Sequence, residues 1–274
     1  MKRVSRPKQA PAHKAHGPRP AAKPASRPRA PAPKGRWVIG LHSCEEAFKV
    51  RPSSVVAALM RPDWERASHL HDLKARLDRA GIPIECRSAH PLDALGSGHQ
   101  GIALCLITAP QLDWAQMEAS DSAVVLILDG VEDPQNLGSI LRTAWLAGVT
   151  AILIPNDRAV GLTPIACKVA SGGAEHVPIE AHSSFGPPME RLKSLGFWLY
   201  GLSEKGRSRP WDLKLPPKTA WIVGSEGSGL RVNTERTCDE LVRLPQVAGG
   251  SSYNASVAVA MALMETCRQL GNPL

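Results

Sequence analysis

Residues 123–128 read Ala-Val-Val-Leu-Ile-Leu, an apolar run with no polar alternation. A strand with one face in water alternates. An unbroken aliphatic run belongs to a strand covered on both faces, as in a parallel sheet between two layers of helices. The pattern returns at Ala151–Ile154, Phe197–Gly201 and Trp221–Val223. Between these runs lie helical stretches, from about Ser139 to Ala147, Pro164 to Val169 and Met189 to Leu195, and a last apolar helix runs from about Asn254 to Leu270. Alternating strands and helices predict an α/β unit on an open, mostly parallel sheet. Ligands of such sheets sit in the loops beyond the carboxyl ends of the strands, where the polar stretches of this chain fall.

A smaller α/β unit precedes it, over residues 36–110. Trp37–Ile39 reads as a strand, and Ser43 to Val50 as a helix capped by Ser43 with Glu45 and Glu46 in its first turn. Ser54 to Arg61 holds an apolar run. Trp64 to Ala80 is amphipathic with Leu70, Leu73 and Leu77 inward, and Ile82–Cys86 and Ile102–Ile107 are strands. Residues 111–121 connect this unit to the second, at 122–274.

Residues 1–35 are different in kind. They hold ten of the chain's 33 lysines and arginines, none of its 25 acidic residues, eight prolines and eight alanines. Such a segment cannot bury enough apolar surface to offset its ordering entropy, so it is read as a disordered basic tail. The net charge of +8 therefore resides in the tail, and acidic residues slightly outnumber basic ones in the remainder. The six cysteines form no C-x-x-C pair and no zinc-ligand spacing; most sit among apolar neighbours, so buried free thiols in a reducing cytosol and no metal are the expectation. No apolar run has membrane-spanning length, so a cytoplasmic protein without membrane contact is expected.

Gly96-Ser97-Gly98-His99-Gln100-Gly101 matches the dinucleotide fingerprint G-x-G-x-x-G. That fingerprint needs a helix after it, and here a strand follows. A turn into a strand is the better reading.

Three blocks carry chemistry. Asp133-Pro134-Gln135-Asn136-Leu137-Gly138-Ser139-Ile140-Leu141-Arg142 lies between a buried strand and a helix. Asn136 and Gly138 suit a tight loop. Arg142 on the N-terminal half of a helix opposes the macrodipole, so a phosphate or carboxylate partner would explain it. Val223-Gly224-Ser225-Glu226-Gly227-Ser228-Gly229-Leu230 puts an acid in a glycine loop that a ligand or another backbone can approach. Leu244-Pro245, then Gly249-Gly250-Ser251-Ser252-Tyr253-Asn254-Ala255-Ser256, leads into the last helix, which Ser252 or Asn254 caps. Taken singly, each block is also explained as a capped turn, a glycine turn or a helix cap.

Together and in this order, N-x-G-x-x-x-R, G-x-E-G-x-G-L and L-P followed by S-x-N-x-S resemble the SpoU family of RNA ribose 2′-O-methyltransferases. Lys168 to Ala174 is similar to the family's intervening segment. Gly40-Leu41-His42 before Glu46-Ala47, and His99-Gln100-Gly101-Ile102, resemble the ribosomal-protein-like substrate domain of its 23S rRNA guanosine 2′-O-methyltransferases. The resemblance implies a trefoil-knotted SPOUT methyltransferase domain, a homodimer, and S-adenosylmethionine held by backbone groups at Gly224, Leu244 and Tyr253. It implies a catalytic and structural set of Asn136, Arg142, Glu226, Ser252 and Asn254. Two positions depart from the family pattern: Tyr253 stands for a common leucine and Ala255 for a common valine, which bears on the shape of the adenine pocket.

The expected reaction is displacement at the methyl carbon by a ribose 2′-oxygen held in line. The family's arginine is proposed to take the proton, yet a guanidinium stays protonated in proteins. Arg142 is therefore read as a clamp on RNA phosphate and developing oxyanion charge, with Asn136 positioning it and Glu226 holding its loop. A tRNA ribose methyltransferase, a base methyltransferase and a non-catalytic knotted RNA-binding protein are the alternatives.

Overall fold

The structure is a computed structural model describing residues 34–86, 90–157, 159–225, 227–248 and 251–271. The tail up to residue 33, and Glu226, lie outside the described residues.

Near the N-terminus, β1 (Arg36–Ile39), β2 (Val55–Met60), β3 (Ile84–Cys86) and β4 (Ile102–Leu106) form a sheet in the order β1-β4-β2-β3. β1 and β2 run antiparallel to β4, and β3 parallel to β2. Helices α1 (Leu41–Val50) and α2 (His71–Arg79) and the short α3 (His90–Asp93) accompany it. After α4 (Trp114–Ala119) comes the second sheet: β5 (Ala123–Asp129), β6 (Ala151–Pro155), β7 (Ile179–His182), β8 (Trp198–Leu202), β9 (Lys218–Gly224) and β10 (Glu240–Val242). Its order is β10-β8-β9-β5-β6-β7, and every pairing is parallel. Helices α5 (Pro134–Leu146), α6 (Pro164–Ala170), α7 (Gly186–Ser194), α8 (Val232–Thr237) and α9 (Ala255–Leu270) complete it.

The apolar runs behave as two-faced burial requires. Leu126 and Leu128 of β5 share a core with Ile140 and Leu141 of α5 and Val259 and Leu263 of α9. Val125 and Ile127 face the other way, with Met117 of α4 and Met189 and Leu192 of α7. The first core is continuous with that of the four-stranded sheet through Val38, Cys44 and Leu104. Trp221 is fully buried and donates its indole N–H to Thr266 Oγ1 at 2.9 Å.

Several local expectations need correction. α5 starts at Pro134, not near Ser139: Asp133 caps it by accepting the Gln135 N–H at 3.0 Å, and Pro134 takes the first turn, where its missing N–H costs nothing. Asn136 and Gly138 are therefore helical residues, not loop residues. Ser43 is not a cap; Gly40 begins α1 with a positive φ of 88°, and Ser43 is buried within the helix. The Trp64–Ala80 segment opens with two 3-10 turns before α2. The connector contains α4, capped by Asp113. The 96–101 motif is, as expected, a turn into β4, with positive φ at Gly96, Gly98, Gln100 and Gly101. Cys44, Cys105 and Cys167 are buried, but Cys86 is exposed.

Candidate active site

The strand order puts β5 and β9 side by side at the centre of the parallel sheet, with Asp129 opposite Gly224 at their carboxyl ends. The order reverses direction here, so the loops after these two strands diverge and leave a crevice. The first block follows β5 and the second follows β9. The third follows β10 and enters α9.

The second block is a closed turn. Ser225 and Gly229 exchange backbone hydrogen bonds at 3.1 and 3.0 Å, and the Ser225 and Ser228 hydroxyls meet at 2.6 Å. A Cβ at Gly224 would run into the backbone of Gly229, so this position admits only glycine. Asp129, buried at the end of β5, anchors the far side of the turn: it accepts the Arg231 N–H at 3.0 Å and lies 3.1 Å from Arg231 Nε. Its signal in the sequence is an acid closing an otherwise apolar strand, outside all three motif blocks.

Asn254 caps α9, its Oδ1 accepting from Ser256 N–H at 2.9 Å and Ser256 Oγ at 2.6 Å. Its Nδ2 donates to Asn136 Oδ1 at 2.9 Å, across 118 positions of sequence. One amide–amide bond thus ties the start of α5 to the start of α9. Next to it opens a cleft of about 770 Å³ lined by Gly224, Leu244, Ser252 and Tyr253, with Lys205, Glu235 and Arg243 among its charged groups. Lys205 and Glu235 pair at 2.9 Å. The Tyr253 hydroxyl donates to the Pro245 carbonyl at 3.0 Å, bracing the third block.

Arg142 stands apart. Six positions after Asn136 on α5, it is displaced by about 9 Å of rise and about 240° of rotation. It is exposed, does not line the cleft, and among the described residues has no hydrogen-bond or ion-pair partner. The expected Asn136–Arg142 contact is not formed. Within one chain the structure brings together Asn136 with Asn254, and Gly224, Leu244, Ser252 and Tyr253 around the cleft. Glu226 lies outside the described residues. Among the described residues no helix is long and apolar enough to cross a membrane, and no cluster of His, Cys, Asp or Glu could hold a metal.

A family model described as the SpoU rRNA methylase family matches residues 123–264. One described as RNA 2′-O ribose methyltransferase substrate binding matches residues 37–111. The chain is 34% identical over 245 residues to the 23S rRNA (guanosine-2′-O-)-methyltransferase RlmB of Xylella fastidiosa, covering 86% of this chain and 97% of that protein. It is 35% identical over 238 residues to RlmB of Photobacterium profundum, covering 85% and 97%. The fold is similar to that of the SpoU methyltransferase AviRb from Streptomyces viridochromogenes, solved in complex with AdoMet, with a TM-score of 0.74 at 22% identity over 85% of this chain and 89% of that one. On the extent of both matched models and of the relatives covered, the chain belongs to the SpoU rRNA methylase family.

Proposed function

We propose that this protein is an S-adenosylmethionine-dependent methyltransferase that modifies a ribose 2′-hydroxyl, with a guanosine of 23S rRNA as its target. The observation that carries the reading is the Asn136–Asn254 bond beside the cleft. It joins the first and third blocks of the motif set where the second block closes. The target follows the relatives' names, and residues 36–110 are proposed as the RNA-binding unit, 111–121 as its connector and 122–274 as the catalytic unit.

The cleft suits the cofactor. Its volume of about 770 Å³ falls in the range of small-molecule sites. The Gly224 turn offers backbone groups with no side chain in the way, and the rim carries both signs of charge, as a zwitterionic amino-acid head requires. Backbone groups at Gly224, Leu244 and Tyr253 are proposed to hold it. S-adenosylmethionine, when bound, supplies an electrophilic methyl group. The chain's own task is to hold the ribose oxygen in line and stabilise its growing negative charge. The N-termini of α5 and α9, brought together by Asn136 and Asn254, place two positive dipole ends there, with Ser252 alongside. Arg142 binds the RNA phosphate as a permanently charged fork.

A homodimer resolves the separation of Arg142 from the cleft. Val257, Met261 and Met264 are spaced along one face of α9 and are all exposed, as is Leu146 of α5. Paired on this face, each protomer would complete its partner's site with Arg142. The trefoil knot and a cytoplasmic location belong to the same reading.

The test is to incubate the protein with a 23S rRNA transcript and methyl-labelled S-adenosylmethionine and to digest with alkali. The expected product is an alkali-resistant dinucleotide carrying labelled 2′-O-methylguanosine. Label on a base, or in tRNA alone, overturns the proposal.

A further inference from the structure

One ionic cluster, centred on a buried carboxylate, joins the two sheets and takes no part in the chemistry above. Glu175, in the turn after α6, is 2% exposed. Its carboxylate accepts from both terminal nitrogens of Arg36, the first residue of β1, with Nη1 at 2.7 Å from Oε1. Arg51, just after α1, brings Nε to 3.6 Å from the same carboxylate and donates Nη2 to the Glu175 carbonyl at 3.4 Å. Removing either arginine while the sheets stay docked would leave the buried Glu175 carboxylate short of a partner, which is costly.

Arg36 does more than pair. Its Nε donates to the Thr108 carbonyl at 3.0 Å, where the chain leaves the four-stranded sheet. Entry and exit of that unit are thus held by one guanidinium that Glu175 holds in turn. A connector between two units is by default a place of relative motion, and here these contacts bridge the two units. Smaller ties surround the cluster: Ser43 Oγ donates to the Cys167 carbonyl at 3.1 Å, Lys168 Nζ to the Ser97 carbonyl at 3.2 Å, and His176 Nε2 meets Glu46 at 2.9 Å. The His176 ring stacks on Trp145 of α5 at 4.3 Å. The turn carrying Glu175 begins at Gly173, where a Cβ would stand 2.6 Å from the Leu141 carbonyl oxygen and 3.1 Å from the Arg142 nitrogen. The latch therefore rests directly on the backbone that carries Arg142.

We infer that Glu175 is a positioning residue that makes the enzyme a rigid ruler: it fixes the distance between the sheet that grips RNA and the helix that presents Arg142, and so selects which ribose is methylated. Every nucleotide offers the same 2′-hydroxyl, so the reacting group cannot identify its target; a fixed span from a grip elsewhere on the RNA can. The inference rests on the proposed function.

The test compares the full-length protein with Glu175→Gln and Arg36→Met on a 23S rRNA transcript, mapping 2′-O-methylation at nucleotide resolution. Cofactor affinity is read by calorimetry, and folding by thermal unfolding. The expected result is unchanged cofactor affinity, single-turnover methylation at the original nucleotide reduced about 10- to 100-fold, the cost of a misplacement near 1 Å, and new methylation on flanking riboses. Normal methylation, or slower methylation confined to the original nucleotide, overturns the ruler. Should Glu175→Gln not fold, Arg36→Met, which leaves Arg51 on Glu175, and a Lys168→Met change at a half-buried position carry the same mapping. A wild-type protein that leaves the transcript unmethylated refutes the proposed function instead. The latch is then read from amide hydrogen exchange in 36–39 and 172–176: acceleration in Arg36→Met supports it, and no change overturns it.

Discussion

Gly138 decides between two accounts of the first motif block. As a loop residue it would serve backbone angles closed to other residues; in the structure it lies within α5 and has no positive φ. A Cβ there would stand 2.6 Å from Val169 Cβ and 2.7 Å from the Ala166 carbonyl oxygen, both on α6. Gly138→Ala sets two effects against each other. Alanine gains about 1 kcal/mol of helix propensity over glycine. Overpacking a full site costs about 1–3 kcal/mol, and here the cost lies at the upper end, because a β-branched Cβ and a backbone oxygen cannot rotate away. Nor can α6 retreat freely, since Ser43 holds its Cys167 carbonyl from the opposite side. The net expectation is a loss of about 1–2 kcal/mol, a Tm lower by about 2–8 °C for a chain of this size, read by thermal and urea unfolding. Gly161→Ala, where a Cβ would meet nothing within 4 Å, is the control and should be neutral. A Gly138→Ala protein as stable as wild type, or more so, would mean that propensity wins and that the close α5–α6 contact is wrong.

Other expectations follow from the same geometry. Arg142→Ala and Asn254→Ala should each abolish methylation, but an equal mixture of the two, unfolded and refolded together, should recover about a quarter of wild-type activity, because each mixed dimer with isologous symmetry holds one intact composite site. No recovery would place Arg142 and Asn254 in the same chain's site. Asn254→Ala should also lower stability by about 1 kcal/mol through the lost cap, whereas Asn254→Asp should keep the cap, keep most of that stability and still weaken the Asn136 link; equal denaturation midpoints for all three proteins would refute the capping role. Burial pushes the Cys167 thiol up to about 11, so at pH 8 iodoacetamide should label exposed Cys86 and leave Cys167 intact, as peptide mass spectrometry would report.

The core of the parallel sheet could be read from sequence because burial on both faces leaves an unbroken apolar run, and β5, β6, β8 and β9 carry one. The strands that escaped notice, β7 and β10, are the two edges. Edge strands are short and charged, and Ile-Glu-Ala-His and Glu-Leu-Val hold too few apolar residues to stand out. The start of α5 is not fixed by sequence even though Asp133-Pro134 is a cap followed by a proline at the first helical position, because Asn136 and Gly138 also fit a loop. Here local chemistry was ambiguous, and packing against α6 resolved it.

The functional groups divide along a different line. Motif spacing named Asn136 and Asn254 separately but could not show that they bond to each other, since that contact depends on where α9 returns to the sheet. It placed Arg142 with Asn136 because they share a block, while helix geometry turns them to different faces. Arg36, Arg51 and Glu175 leave no trace at all: an isolated arginine or glutamate in a sequence looks like a solvated surface charge, and only the docking of β1 and α1 on the turn after α6 buries Glu175 between the two half-buried arginines. Contacts within a block follow from spacing, whereas contacts between blocks follow from the fold. In this protein the second kind governs both the link beside the cleft and the ionic cluster that joins the two sheets, so on the proposed ruler target choice would lie in tertiary packing that the motifs do not encode.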